Sequence, residues 1–232
     1  SNILSLADDR PPISLFYTGP LHAGENLREL LSKRLKDTPP PLQMCDGLSR
    51  NRPGRSWSMI LASCLSHGRR NFYELLDKFE QPVRYVLKCL RIVYRVDSRA
   101  RRRELSPEER LLLHQRRSGP VMQKLHEWLK RQFEERLVEP NSALGKAIKY
   151  MLKRWQELTL FLRVAGAPLD NNICEQALKL AIRHRKNSLF YKTLRGAAVG
   201  DLYMSLIHTC YHARVDPLDY LTQLQRHHAE VS

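Results

Sequence analysis

Every strand-like segment of this 232-residue chain lies before residue 63, and from about residue 66 onward apolar residues recur at helical spacing almost without relief. That asymmetry rules out an all-β fold and a regular β-α alternation. Strands are expected at residues 3–6, 13–17, 42–45 and 58–62, each short and bounded by Pro, Gly or Asp. Between the second and third, Leu27, Leu30, Leu31 and Leu35 fall at helical spacing, so residues 26–35 read as a helix that Pro39-Pro40-Pro41 would end. The opening is therefore mixed α/β, with a small sheet.

After it, Phe72, Leu75, Leu76 and Phe79 share one helical face, and Val83, Val86, Leu87, Leu90 and Val93 another. An Arg-rich stretch, residues 99–103, closes that segment. Ser106-Pro107-Glu108-Glu109 then fits a capping box: the Ser oxygen meets orphan N–H groups, Pro takes the first helical position, and Glu reaches back. The stripe continues through Leu125, Trp128, Leu129, Phe133 and Leu137 to Pro140. Asn141-Ser142 open a helix bearing Leu144, Ile148, Met151, Leu152 and Trp155. Residues 80–160 thus read as a helical insertion between an N-terminal part, 1–79, and a C-terminal part, 161–232. In the last part Gly166 to Pro168 break the pattern, and Asp170 is expected to cap a helix bearing Cys174, Ala177, Leu178 and Ala181. A final helix pair is expected near residues 199–211 and 218–225.

Thirty-nine Lys and Arg against twenty-four Asp and Glu leave a net charge of +15. Such a surplus draws a protein to polyanions, nucleic acid first and anionic membrane second. No apolar run approaches the roughly 18–20 residues that span a bilayer, and no segment resembles a signal peptide, so an intracellular protein without a membrane partner is expected. Five scattered cysteines argue against a disulfide framework, and no CxxC pair is present. The chain lacks an initiator Met and opens directly on a strand, so it is expected to continue upstream of Ser1.

Two acids stand out. Asp46 follows an expected strand, a position suited to holding a metal, although Asp46-Gly47 also reads as a plain turn. Glu175 follows Asp170-Asn171-Asn172 at a helix start, where it is either a ligand or a solvated neighbour of a cap. Lys179, Arg183, His184, Arg185 and Lys186 come soon after it, so one segment offers an acid and a phosphate-binding surface. Arg69 and Arg70 repeat that logic after the fourth strand. Cys64 and His67 resemble half of a zinc site, but no second pair has the required spacing, and His67 reads as a hydrogen-bonding residue near the sheet. Trp57, Trp128 and Trp155 are expected in the core rather than as base-stacking platforms.

Four segments taken in order carry a resemblance: Gln43-Met44-Cys45-Asp46-Gly47, then Cys64-Leu65-Ser66-His67-Gly68-Arg69-Arg70-Asn71-Phe72, then Leu169-Asp170-Asn171-Asn172-Ile173-Cys174-Glu175, and Arg185-Lys186-Asn187-Ser188-Leu189-Phe190. With Leu105 to Arg110 and Tyr203 to Thr209 in support, the chain resembles DDE transposases of the insertion-sequence-66 class along nearly its whole length. Two departures are Leu65-Ser66-His67 for the family's Trp-Ala-His and Gln176 where Arg is frequent.

The resemblance implies an α/β fold: an N-terminally incomplete ribonuclease-H-like core with a large all-helical insertion and C-terminal helices. It implies metal-dependent DNA cleavage and strand transfer by a core of two aspartates and a glutamate. Asp46 corresponds to the second aspartate and Glu175 to the glutamate, both as metal ligands. The first aspartate is expected upstream of Ser1, Asp8 and Asp9 being the early alternatives. Two Mg²⁺ ions are implied, with Mn²⁺ as the substitute. DNA contacts fall to Arg69, Arg70, Lys179, Arg183, Arg185, Lys186 and Asn187, and His67, Asp170, Asn171 and Asn172 surround the ligands. The implied partners are element ends and target DNA, a second copy of the chain on DNA, and helper proteins of the same element, in a bacterial cytoplasm. A truncated fragment that binds DNA without cutting, and a nuclease or resolvase on the same core, are the alternatives.

Overall fold

The computed structural model describes the chain apart from residues 8–9, 20, 36–37, 55–56, 189–190 and 232, and apart from the side chains of residues 6, 7, 10, 180, 184–186, 188 and 231. Asp8 and Asp9 therefore lie outside the described residues. The fold is mixed α/β and mostly helical. Its packing divides into two units, Ser1–Thr38 with Ser49–Trp57 and Asn172–Ser232, and Pro39–Leu48 with Ser58–Asn171.

In the first unit β1 (Asn2–Ala7) and β2 (Arg10–Phe16) form an antiparallel pair, Leu4 opposite Ser14 and Asn2 opposite Phe16. Helix α1 is Ala23–Ser32, three residues earlier than its Leu spacing suggests. The Pro triplet does not end it: the Lys33 N–H turns back to the Leu30 and Leu31 carbonyls, closing the helix locally, and Leu35 is left exposed. Gly24 is required there, because a Cβ would stand 2.2 Å from the Arg52 carbonyl oxygen.

The second unit holds β3 (Leu42–Cys45) and β4 (Ile60–Ser63), which pair in parallel, Leu42 opposite Ile60 and Cys45 opposite Ser63. Helices α2 (Leu65–Tyr73), α3 (Glu80–Arg102), α4 (Pro107–Arg117), α5 (Gly119–Glu134), α6 (Ala143–Lys153) and α7 (Trp155–Leu158) complete it. The helical run expected from residue 66 is broken by turns at residues 74–78. Pro82 gives the reason: lacking an N–H, it is tolerated only in a first turn, and starting α3 at Glu80 puts it there. Phe72, Leu90, Leu125, Leu129, Ile148 and Met151 meet in a solvent-free core, with Trp128 and Trp155 packed against it. The capping box forms as read, the Glu109 N–H donating to Ser106 Oγ (3.2 Å) and the Ser106 N–H to Glu109 Oε2 (2.9 Å). Ser142 likewise caps α6, accepting from the Gly145 N–H at 3.0 Å.

One buried acid interrupts this core. Asp97 on α3 accepts from Arg110 Nε (2.9 Å) and Nη2 (2.7 Å) of α4 and from Arg101 (2.9 Å). His114 Nε2 lies 3.2 Å from the same carboxylate, and its Nδ1 is 2.9 Å from Ser118 Oγ. Burial would raise the Asp97 carboxyl, but the His114 hydrogen bond and the two guanidinium charges outweigh it and hold the group below its ordinary value. The Ser-His-Asp order has no nucleophilic use, since Ser118 and His114 are 0% and 1% exposed. It pins α3, α4 and the start of α5 together.

The remaining helices of the first unit are α8 (Asn172–Ser188), α9 (Leu194–Ala213) and α10 (Pro217–Arg226), followed by one short turn of helix at His228–Val231. Helix α9 lies along the outer edge of β2. Its Thr209 Oγ1 accepts from the Ser14 N–H (3.1 Å), Ser205 Oγ from the Phe16 N–H (2.9 Å) and Asp201 Oδ2 from the Thr18 N–H (2.5 Å). Residues four apart on a helix thus meet residues two apart along a strand. The match is geometric: four residues rise about 6 Å along a helix, and two residues rise about 6.8 Å along an antiparallel strand.

Candidate active site

Because β3 and β4 run parallel, both present their carboxyl ends on one side, where open α/β sheets bind ligands. Asp46 is the first residue past β3. Its Oδ1 accepts from the Leu48 N–H at 3.0 Å, so the carboxylate also closes a turn through Gly47. Turn former and strand-end acid are one residue. Gly47 takes φ +83°, a conformation that favours glycine, and a Cβ there would stand 2.7 Å from Arg154 Nε and displace that side chain.

The turn is anchored by the end of α6. The Tyr150 hydroxyl donates to the Asp46 carbonyl (3.3 Å), Arg154 Nη2 donates to the Gly47 carbonyl (3.2 Å), and the guanidinium sits 4.4 Å from the Tyr150 ring centre. Burial pushes the Tyr150 phenol up, with the Arg154 charge opposing, so the hydroxyl stays a donor. At the end of β4, Ser63 Oγ donates to Glu157 Oε2 at 2.6 Å. Glu157 thus brings a further carboxylate to this end of the strand pair. The sequence hid it, because it follows Trp155 in what reads as the tail of one long helix.

The motif before Glu175 behaves differently from its reading. Helix α8 begins at Asn172, so Asp170 is not its cap. Asp170 Oδ2 instead accepts from Ser66 Oγ (3.3 Å), which also meets the Tyr94 hydroxyl at 3.0 Å. The Asn171 N–H donates to Cys64 Sγ (3.4 Å) and the Leu65 N–H to the Leu169 carbonyl (2.9 Å). Residues 169–171 are therefore laced along the start of α2. That lacing takes Asp170 away from the helix it would cap. Burial drives the Tyr94 phenol far above its ordinary value, only partly countered by its bond to Ser66.

His67, Arg69 and Arg70 lie on α2. His67 is half-buried with Nδ1 shielded from solvent. Arg69 is exposed, its guanidinium 5.6 Å from the Tyr73 ring centre, and exposed Arg70 pairs with Glu74 at 2.7 Å. On α8, Asn172, Lys179, Arg183 and Asn187 are exposed, and the side chains of Arg185 and Lys186 lie outside the described residues. Glu175 sits in the first turn of α8, half-buried, with Oε1 shielded from solvent. Its neighbour Cys174 is half-buried where α8 packs on β1, and burial pushes that thiol up. Asp46, Glu157, His67, Asp170 and Asn171 belong to the second unit, and Asn172 and Glu175 to the first. No described helix is long and apolar enough to cross a membrane.

Comparison with known proteins adds ancestry to this geometry. Three proteins of Sinorhizobium fredii (strain NBRC 101917 / NGR234) align with the chain. The uncharacterized protein y4hP is 32% identical over 179 residues, 72% of this chain and 32% of that protein. For the uncharacterized protein y4jD the identity is 33% over 186 residues, 76% of this chain and 34% of that protein. The uncharacterized protein y4qI is 30% identical over 176 residues, 75% of this chain and 32% of that protein. The chain thus spans about a third of the length of these relatives. No solved structure matches it. The sequence model described as "Transposase IS66 family" matches residues 4–199, a stretch that contains the Asp46 turn, the start of α2 and the Glu175 helix, and the chain belongs to that family.

Proposed function

We propose that the chain is part of the catalytic region of a DDE-type DNA transposase, with a ribonuclease-H-like core, which cuts and joins DNA by metal-dependent phosphoryl transfer. The observation that carries this reading is the setting of Asp46: a carboxylate at the end of a parallel strand pair, held by Tyr150 and Arg154, in a chain that belongs to a transposase family. Glu175 enters as the family's glutamate through the match at Leu169 to Glu175.

The residues fit the implied ion by donor chemistry. Asp46 and Glu175 offer hard carboxylate oxygens, the ligands Mg²⁺ prefers, and Mn²⁺ would take the same donors. The Leu48 N–H uses only part of the lone-pair capacity of Asp46 while fixing its direction. When bound, divalent ions would supply Lewis-acid stabilisation of phosphate oxygens. The chain's own contribution is positioning: Arg154 and Tyr150 hold the Asp46 turn, and Arg69, Arg70, Lys179, Arg183, Arg185, Lys186 and Asn187 are the proposed DNA contacts, with His67, Asp170, Asn171 and Asn172 as supporting groups. In this reading, element ends and target DNA are the substrates, and a second copy of the chain and helper proteins of the element are partners. Water would be the first nucleophile and the freed 3′-hydroxyl the second, with no covalent protein intermediate.

The test uses the full-length protein with element-end DNA. Asp46→Ala and Glu175→Ala are each expected to abolish Mg²⁺-dependent nicking and joining while DNA binding persists. Near-normal strand transfer by either variant would overturn the assignment of that residue.

A further inference from the structure

Helix α3 carries Arg84, Lys88, Arg91, Arg95, Arg99 and Arg102 at intervals of three or four residues, and all six are exposed. At 100° and 1.5 Å per residue they fall within an arc of about 80° and along about 27 Å of the helix axis. The stripe's direction is fixed by what lies opposite it, since Val83, Val86, Leu90 and Val93 are buried in the core. The helix keeps its acids out of the stripe's length. Glu80 stands at its N-terminal end and pairs with Arg84 at 2.7 Å, and Asp97 is turned inward and satisfied by Arg101 and Arg110. Among the described residues, no ion pair is formed by the other five cations.

Like charges at these intervals destabilise an isolated helix. Here the apolar face and the Asp97 cluster hold the helix in place despite that repulsion, so a preformed row of cations is presented to solvent. A polyanion laid along it would relieve the repulsion.

We infer that the exposed face of α3 is a binding surface for the phosphate backbone of duplex DNA, formed by residues other than the DNA contacts proposed on α2 and α8. Three observations select a duplex backbone. The row is straight and about 27 Å long, against about 34 Å for one turn of B-DNA. All its members but Lys88 are arginines, whose planar guanidinium forks match phosphate oxygens. The apolar residues of α3 are committed to the core, leaving only Ile92 at the margin, so the helix has no apolar face to insert into a lipid surface. The inference rests on the transposase reading only for the choice of DNA as the polyanion.

The experiment measures binding of a random-sequence duplex by the 232-residue chain across a salt series. The stripe variant Arg91→Gln/Arg95→Gln/Arg99→Gln is compared with Lys124→Gln/Lys130→Gln/Lys146→Gln, which removes equal charge from exposed positions on α5 and α6. Each lost phosphate contact flattens the log–log salt dependence by about 0.9, so the stripe variant should lose about 2.7 of slope and the control much less. Circular dichroism should show unchanged helix content in both. Equal changes in the two variants, or an unchanged slope in the stripe variant, would overturn the inference. So would stripe-dependent binding to phosphatidylserine–phosphatidylcholine vesicles with DNA binding unaltered. The catalytic reading is tested by Mg²⁺-dependent nicking and this one by the salt slope of the stripe variant, so loss of the one and loss of the other are distinguishable.

Discussion

The unit that contains Asp46 is held by a dry apolar interior with one charged cluster set into it, whereas the unit that contains Glu175 closes the edge of its sheet with the side chains of Asp201, Ser205 and Thr209. In the first case Phe72, Leu65, Leu90, Leu129 and Ile148 exclude water completely, and the buried charge is confined to Asp97, which is fully partnered. In the second, the buried positions include Ser14, Asn26, Ala177, Ala197, His208 and Cys210, and few are large. Apolar burial is non-directional and tolerates small displacements, while a hydroxyl ladder requires each donor in register. The two units should therefore respond differently to loss of a single group.

Phe72→Ala tests the apolar side of the comparison and should have the largest effect, a loss of about 4 kcal/mol in urea unfolding. A loss under about 1 kcal/mol would mean that the core collapses around the cavity and is less close-packed than its burial indicates. Asp97→Ala comes next, at about 3 kcal/mol, because buried His114 and half-buried Arg110 would lose their shared anion. The same carboxylate sets a pH dependence. Its folded value lies below the unfolded value, so its stabilisation is complete above about pH 4 and is lost as pH falls through the folded value. Urea midpoints between neutral pH and pH 3 should decline for the parent and decline less for Asp97→Asn.

Ser205→Ala tests the polar side, leaving the Phe16 N–H without its acceptor at a cost of about 2 kcal/mol. Amide exchange should quicken at Phe16 and Ser14 while the core amides of α3 and α5 keep their protection. Uniform acceleration throughout would show that the two units unfold as one and would break the comparison. Ser106→Ala, which removes a cap on the exposed start of α4, should cost about 1 kcal/mol.

These contrasts also explain what the sequence made legible. The strand at Leu42–Cys45, the capping box at Ser106 and the cap at Ser142 depend on neighbours in the chain, and they stand where periodicity and capping chemistry put them. The end of α1 was misplaced because Leu35 looks apolar enough to continue a face, and no local signal marks Lys33 as the closing residue. Asp170 was misread for a different reason: its partner Ser66 is 104 residues away, and a tertiary hydrogen bond outcompeted the local cap. Separations of 94 to 107 residues likewise hid the bracing of the Asp46 turn by Tyr150 and Arg154 and the arrival of Glu157 beside Ser63. For the site, the chain's own spacing identified the strand-end acid but not the side chains that hold it.

The ladder on α9 has an effect on the sheet as a whole. A strand edge with open N–H groups is a template for any extended segment, its own or another molecule's. Along β2 the N–H groups of Ser14 and Phe16, and that of Thr18 just past the strand, are already taken by oxygens carried on α9, so that side of the sheet cannot zip to a further strand without first peeling α9 away. The sheet is thereby given a closed margin along β2.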